Sequence, residues 1–131
     1  MKEYTHYTTT SYNNKKGEKL MEKEYKVIKS FFIAGVQHHE MGTVLSEIED
    51  GNIFALVREP SNKYDPNAVR IEYPTEDGSV MLGYVPAKFS SEIGAFIEIG
   101  RKLSCVVVEL NKDAKPWEWC KVEIREVTGC I

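Results

Sequence analysis

The sequence REPSNKYDPNAV, residues 58–69, separates two apolar runs and is rich in turn-forming residues. Its two prolines fix their own φ angles, and the side chains of Asn62 and Asp65 can hydrogen-bond nearby backbone N–H groups. Turn chemistry alone therefore predicts a loop between two strands. That chemistry does not require Tyr64 beside Asp65. A tyrosine at a loop tip exposes a flat face on which a nucleobase can stack, and a carboxylate accepts hydrogen bonds from hydroxyl groups.

Two interpretations of this loop stay open at the level of its residues. In the first, Asp65, Pro66 and Asn67 form a tight turn that only connects strands. In the second, the loop is a binding site. Arg58 then either braces the loop through a carboxylate or contacts a phosphate.

Short strand patterns surround the loop on both sides. They are rich in β-branched and aromatic residues, which is typical of half-buried strands. The segments are YKVIKSFFIAGV (25–36), IFALVRE (53–59), AVRIEY (68–73), VMLGYV (80–85), LSCVVVEL (103–110) and WEWCKVEIREV (117–127). Between the third and fourth, PTEDGS with Asp77-Gly78 predicts a hairpin turn. The segment VLSEIED (44–50) is amphipathic but of uncertain type.

One helix interrupts the strands, in the segment PAKFSSEIGAFIEIG at 86–100. Proline suits a first helical turn and glycine suits the end of a helix. An apolar stripe at helical spacing predicts packing against the sheet; its members are Phe89, Ile93, Phe96 and Ile97. The order of elements predicts a mostly β fold, a small antiparallel barrel with an inserted helix.

The first 22 residues differ in character from the rest. They are polar and aperiodic, which predicts a flexible tail, with a short helical turn near 19–24, followed by one domain over 25–131. No apolar run approaches the roughly 20 residues that span a bilayer. The first twenty residues also lack the apolar core of a secretory signal, so we expect a cytoplasmic protein without a membrane partner.

The net charge and the spacing of the cysteines limit which ligands we expect. A net charge of −3 predicts only modest affinity for nucleic acid, since a strong phosphate binder needs many cations. The three cysteines have no zinc-binding spacing, and Cys105 and Cys120 lie inside apolar runs. We expect those two to be core thiols, and the sequence predicts no cofactor.

Taken together, FFIAGVQHHE, VREPSNKYDPNAVRIEY and VMLGYVPAKFSSEIGAFIEIG resemble a HIRAN domain. The resemblance covers roughly residues 27–127. The loop and the GYVP step into the helix are its most specific parts. It implies a six-stranded, OB-like antiparallel barrel with one or two short helices. It also implies binding of single-stranded DNA at a 3′-hydroxyl end, in DNA repair or replication-fork processing, without catalysis. A barrel without a motor would act with a helicase, ATPase or nuclease partner.

The resemblance also implies site residues. In members that bind DNA ends, an Arg-Tyr pair follows the first-strand glycine by two residues, and here Gln37 and His38 stand in those positions. The second pair is intact as Tyr64, which would stack on a base, and Asp65, which would hold the terminal nucleotide. The other implied nucleic-acid-binding residues are Arg58, Asn62, Asn67 and Lys88.

Three other functions remain as alternatives. His38 and His39 near Glu40 invite a metal site, but adjacent histidines on a strand point to opposite faces. A phosphodiesterase using His38, Glu59 and Asp65 lacks the convergent carboxylates of metal nucleases. A barrel that binds a protein or a small ligand is the main alternative. An exposed pair of Trp117 and Trp119 would favour it, because aromatic residues anchor partner surfaces.

Overall fold

The structure, a computed structural model, describes residues 5–10 and 21–130, with side chains described for 24–128. Within these residues there are seven strands and two α-helices. They are β1 (Thr5–Thr10), β2 (Met21–Phe32), α1 (Met41–Val44), β3 (Ile53–Arg58), β4 (Val69–Thr75), β5 (Gly78–Tyr84), α2 (Ala87–Glu98), β6 (Leu103–Leu110) and β7 (Cys120–Cys130). All pairings are antiparallel, in the order β1-β2-β7-β6-β3-β4-β5.

The sheet curls until the end of β2 meets β5. Just beyond β2, Ala34 and Tyr84 exchange two backbone hydrogen bonds, each 2.9 Å long. A few residues later the Glu40 N–H donates to the Met81 carbonyl at 3.0 Å. Irregularities in the pairing of β2–β7, β6–β7 and β4–β5 provide local bends of the kind that help a sheet to curl. The predicted OB-like antiparallel barrel with short helices is confirmed.

Gly83 lies at this closure because a larger residue would not fit. A Cβ atom there would lie 2.4 Å from the Ala34 carbonyl oxygen and 2.8 Å from Ile33 Cγ2. Both distances are far shorter than van der Waals contact. The glycine of the GYVP segment therefore permits the close approach of two backbones that completes the barrel.

The core fills the barrel and extends under α2. Its largest fully buried side chains are Ile33, Met41, Ile48, Ile71, Leu82, Ile93 and Ile124. From α2, Phe89 and Ile97 pack against this core beside Ile93, as the apolar stripe predicts. Phe96 differs, because it is not among the side chains packed against this core, and its ring centroid lies 3.9 Å from the guanidinium carbon of Arg101.

Both cysteines expected in the core are there. Cys105 and Cys120 are buried free thiols. Burial raises the pKa of Cys105, and raises the pKa of Cys120 to about 12. Both groups are therefore held in the thiol form at neutral pH.

The N-terminal region differs in part from its prediction. β1 lies within the predicted tail, and Met21–Phe32 is one strand, so residues 21–24 do not form the helical turn expected near 19–24. The other residues of the predicted tail lie outside the described part of the chain. The uncertain segment at 44–50 forms the end of α1 and a 3₁₀ turn at Leu45–Glu47. No helix among the described residues is both long and apolar enough to cross a membrane.

Candidate nucleic-acid interface

The loop between β3 and β4 is held by its own side chains. Asn62 Oδ1 accepts hydrogen bonds from the backbone N–H groups of Tyr64 at 2.9 Å and Asp65 at 3.0 Å. Asp65 Oδ1 accepts from the Asn67 N–H at 2.9 Å. The turn chemistry predicted from the sequence is therefore present, and it fixes the backbone of the Tyr64–Asp65 pair.

Asp65 also ties the loop to α2. Ser90 lies on the inner face of that helix and is only 1% exposed. Its Oγ is 2.9 Å from Asp65 Oδ2 and 3.0 Å from the Ala87 carbonyl oxygen. A hydroxyl carries one proton, so it donates to one of these acceptors at a time. Through Ser90, the loop and the first turn of α2 form one assembly.

A polar network supports the loop from the side of β5. The Tyr84 hydroxyl donates to Glu59 Oε1 at 2.9 Å, and Asn62 Nδ2 donates to the same oxygen at 2.9 Å. The other oxygen of Glu59 lies 3.3 Å from Arg70 Nε. Burial, followed by the hydrogen bond to Glu59, raises the pKa of Tyr84. Tyr84 therefore stays a neutral hydrogen-bond donor that keeps the loop in place.

A pocket of about 280 Å³ opens between the loop, the end of β5 and the start of α2. Its walls carry two tyrosine rings, several small apolar residues, one amide and one carboxylate. The lining residues are Ala34, Gly35, Asn62, Tyr64, Asp65, Ala68, Tyr84, Val85 and Ala87. Tyr64 is 87% exposed, so most of its ring is open to a ligand.

The N-terminus of α2 lies at the edge of this pocket. Pro86 precedes the helix and Ala87 is its first residue. The N–H groups of a first helical turn have no partner within the helix, and they favour anions. Lys88 is exposed on the same turn, with its Nζ 5.0 Å from the Phe89 ring centroid. An anion could therefore meet both backbone donors and a cation at this edge.

The structure brings three of the predicted site residues into the pocket wall, namely Asn62, Tyr64 and Asp65. Gln37 and His38 are exposed on a 3₁₀ turn, Val36–His38, that directly follows Gly35 of the wall. They do not line the pocket itself. They lie beside one side of it.

Two further predicted residues lie outside the pocket. Asn67 is exposed and contributes its backbone N–H to Asp65. Arg58 faces α2, where its Nη1 is 3.4 Å from Glu98 Oε2. Its buried Nε has no hydrogen-bond partner among the described residues. Arg58 therefore contacts the helix rather than the wall of the pocket.

Sequence reasoning did not select Tyr84 or Ser90, because their roles appear only when β5 and α2 meet the loop. His39 is a similar case, with its ring edge-on to Tyr84 at 5.4 Å between centroids. Burial, and then the positive charges of His38 and Arg70, lower the pKa of His39. Among the described residues, no group of three or more histidine, cysteine or acidic side chains is placed to hold a metal ion.

The two tryptophans are not an exposed pair. Trp119 is half-buried against the core, and its indole N–H donates to the Ala114 carbonyl at 2.8 Å. Trp117 is 50% exposed, with Lys115 Nζ 5.6 Å from its ring centroid. Its turn, Pro116–Glu118, packs near the 3₁₀ turn that carries Gln37 and His38.

The fold and the site together define an OB-like barrel with an aromatic pocket at a strand-to-helix junction. The family model of the HIRAN domain matches residues 29–126, and the chain belongs to that family. The resemblance inferred from the sequence is thereby confirmed. HIRAN domains are generally DNA-binding modules and are generally not catalytic by themselves.

Two solved structures share the fold. A crystal structure of a protein from Lactobacillus plantarum has a TM-score of 0.64 at 15% identity, with 98% of this chain and 100% of that chain covered. The crystal structure of the HIRAN domain of human HLTF has a TM-score of 0.52 at 14% identity, covering 76% of this chain and 72% of that chain. A search of curated proteins finds no significant sequence match.

Proposed function

We propose that the pocket binds the 3′-hydroxyl end of single-stranded DNA, in DNA repair or replication-fork processing. The observation that carries this proposal is the pairing of an exposed ring with a carboxylate in one pocket wall. Tyr64 offers its face to solvent, and Asp65 lies beside it with its position fixed by Ser90 and Asn67.

The two residues would divide the recognition between them. A terminal base would stack on Tyr64, which is worth about 1–3 kcal/mol per base. The 3′-hydroxyl would donate a hydrogen bond to the carboxylate of Asp65, which is stronger than a bond to a neutral acceptor. Asn62 accepts hydrogen bonds from the backbone N–H groups of Tyr64 and Asp65. It would therefore hold the ring and the carboxylate in a fixed relative position.

The remaining predicted residues would act around this centre. Lys88 and the N-terminus of α2 would meet a phosphate. Gln37, His38 and Asn67 would contact the strand as it leaves the pocket. Arg58 would brace the loop strand against α2 through Glu98.

The charge of the chain limits the affinity. With a net charge of −3 and few cations near the pocket, we expect a Kd on the order of micromolar. The domain would supply binding alone, and a helicase, ATPase or nuclease partner would supply remodelling or cleavage. We place this action in the cytoplasm.

Fluorescence anisotropy with labelled single strands tests the proposal. Strands ending in a 3′-hydroxyl, in a 3′-phosphate or blocked at the 3′ end are titrated at low and moderate salt. Tyr64→Ala should weaken binding by about 1–3 kcal/mol, while Tyr64→Phe, which keeps the ring, should not. Because Tyr64 is largely exposed, both variants should melt like the parent protein. Unchanged binding by a folded Tyr64→Ala protein would end the proposal.

A second candidate function is supported by Trp117. A half-exposed tryptophan beside Lys115 is the kind of residue that anchors a protein partner or a small ligand. If no single strand binds the parent protein at low salt, this non-catalytic interaction barrel becomes the favoured function. Loss of partner or ligand binding in Trp117→Ala, with melting unchanged, would then support it.

A further inference from the structure

We infer that Lys63 is a phosphate-binding residue of this site and supplies one of its two available side-chain cations. This inference rests on the proposed function, since it concerns how the same pocket holds a strand.

Most cations near the pocket are already paired. Arg70 lies 3.3 Å from Glu59 and 2.7 Å from Glu72, and Arg58 lies 3.4 Å from Glu98. Lys29, below the first turn of α2, lies 3.3 Å from Glu92. Each of these would have to give up a carboxylate before it could neutralise a phosphate.

Lys63 and Lys88 are different. Within the part of the chain that the structure describes, neither makes an ion pair. Both are exposed, and each lies over an aromatic ring: Lys63 over Tyr64 and Lys88 over Phe89. They flank the pocket from the loop and from α2, so a strand entering the pocket would pass between two free ammonium groups.

The position of Lys63 relative to Tyr64 favours a phosphate contact. Its Nζ lies 5.2 Å from the ring centroid, so the cation covers part of one face of the ring. A base would then stack on the opposite face. The phosphate attached to that nucleotide would lie at the edge of the Tyr64 ring, within reach of the long side chain of Lys63. Asn62 fixes the backbone on which Lys63 is mounted, because it bonds the N–H groups of the next two residues.

A phosphate contact has a distinct signature in binding measurements. It positions the strand without reading its end, so it strengthens binding to every strand alike. It also releases counterions. For single strands the slope of log K against log salt changes by about 0.7 for each phosphate neutralised. Stacking on Tyr64 and the hydroxyl bond to Asp65 carry no such dependence on salt.

The test compares Lys63→Gln with Lys63→Arg in the full chain, on strands with a 3′-hydroxyl and with a 3′-phosphate. Lys63→Gln should reduce the steepness of the plot of log K against log salt by about 0.7. The factor by which affinity falls between about 50 and 200 mM salt should therefore be about 2.6 times smaller in the variant than in the parent protein. The reduction should be equal for both strands. Lys63→Arg keeps the charge and should keep the slope.

Lys102→Gln is the matched control. Lys102 is also exposed, but it follows the C-terminal end of α2, whereas the pocket lies at the N-terminal end of this helix, which is about 18 Å long. It should leave the slope unchanged. An unchanged slope in Lys63→Gln, or an equal loss in Lys102→Gln, would overturn the inference while strand binding itself persists. A parent protein that binds no strand at low salt would instead overturn the proposed function.

Discussion

At the scale of single residues, the same side chains build the loop and form the candidate site. Asn62 and Asp65 bond backbone N–H groups, and this could be predicted from the sequence because Asx turns are local. Ser90 and Tyr84 could not be predicted in the same way. Each lies more than twenty residues from its partner in the chain, and no local pattern marks a hydroxyl that bonds a distant carboxylate.

Asp65→Asn should remove end recognition and keep the fold. The amide oxygen can still accept from the Asn67 N–H, and its NH₂ group can donate to Ser90, whose own proton then goes to the Ala87 carbonyl. A hydrogen bond to a charged group is worth about 1.5–3 kcal/mol. Affinity for 3′-hydroxyl strands should therefore fall about tenfold or more, while affinity for 3′-phosphate strands should not fall. Anisotropy titrations measure both.

Asp77→Asn provides the comparison for this variant, since it removes the same charge from the exposed β4–β5 turn. It should not alter the ratio of the two affinities. If Asp65→Asn keeps that ratio as well, then Asp65 serves the turn alone and does not read the end of the strand.

His39 should make the protein sensitive to acid. Its folded-state pKa is lowered by burial and by His38 and Arg70, against the opposing charges of Glu59 and Glu40. The unfolded chain, with a pKa near 6.5, therefore takes up this proton first as the pH falls. The stability associated with neutral His39 is therefore fully present above about pH 6.5. It is lost as the pH falls from there through the folded-state pKa.

Melting curves at about pH 7.5 and about pH 5.5 test the direction of this effect on stability. The drop in Tm on acidification should be smaller in His39→Gln than in the parent protein, because the variant lacks the titrating group. A larger drop in the variant would mean that the folded state binds the proton more tightly, and that the assigned direction is wrong.

At the scale of elements, most of the sheet could be predicted. Strands β2 to β7 contain most of the β-branched and aromatic runs of the sequence, and the predicted hairpin joins β4 to β5 through Glu76 and Asp77. Two predicted strands are too long, because β2 ends at Phe32 and β7 begins only at Cys120, after the 3₁₀ turn that carries Trp117. β1 could not be predicted, because its sequence THYTTT has no apolar alternation. α1 could not be predicted either, since four residues are too few to show a helical period.

The closure of the barrel depends on Gly83. Gly83→Ala should destabilise the protein by about 1–3 kcal/mol or more, because the new methyl group would overlap the Ala34 carbonyl oxygen and Ile33. In Gly42→Ala, the added Cβ would meet Trp119 at an ordinary 3.9 Å, so this variant should be neutral or slightly stabilising. Urea unfolding measures both. Equal stability of the two variants would mean that β2 and β5 can separate at little cost.

At the scale of the whole molecule, the candidate site depends on the closed barrel. Its wall draws on residues from three segments of the chain, 34–35, 62–68 and 84–87. The family resemblance indicated that the loop and the Gly35 region would meet, since it assigned both to one site. The depth and lining of the pocket could not be predicted, because they follow from the angle at which α2 leaves β5.

The barrel should not need the first 22 residues. β7 pairs with β2 from Lys23 onward, whereas Met21 and Glu22 pair with Thr10 and Thr9 of β1. Deleting residues 1–22 therefore removes β1 and the first two residues of β2. It uncovers the edge of β2 over residues 23–26, with which β1 also pairs, and leaves the β2–β7 ladder and the closure at Ala34 in place. The Tm should change by a few degrees at most, the effect of about 1 kcal/mol or less.

Strand binding should be unchanged in the same truncated protein, because every residue of the pocket wall lies beyond Phe32. A loss of folding would show that β1 is an integral strand of the domain. A loss of binding in a protein that still melts near the parent Tm would have a different meaning. It would place part of the strand-binding surface on the N-terminal residues, and the pocket between the loop and α2 would then hold only the end of a longer binding path.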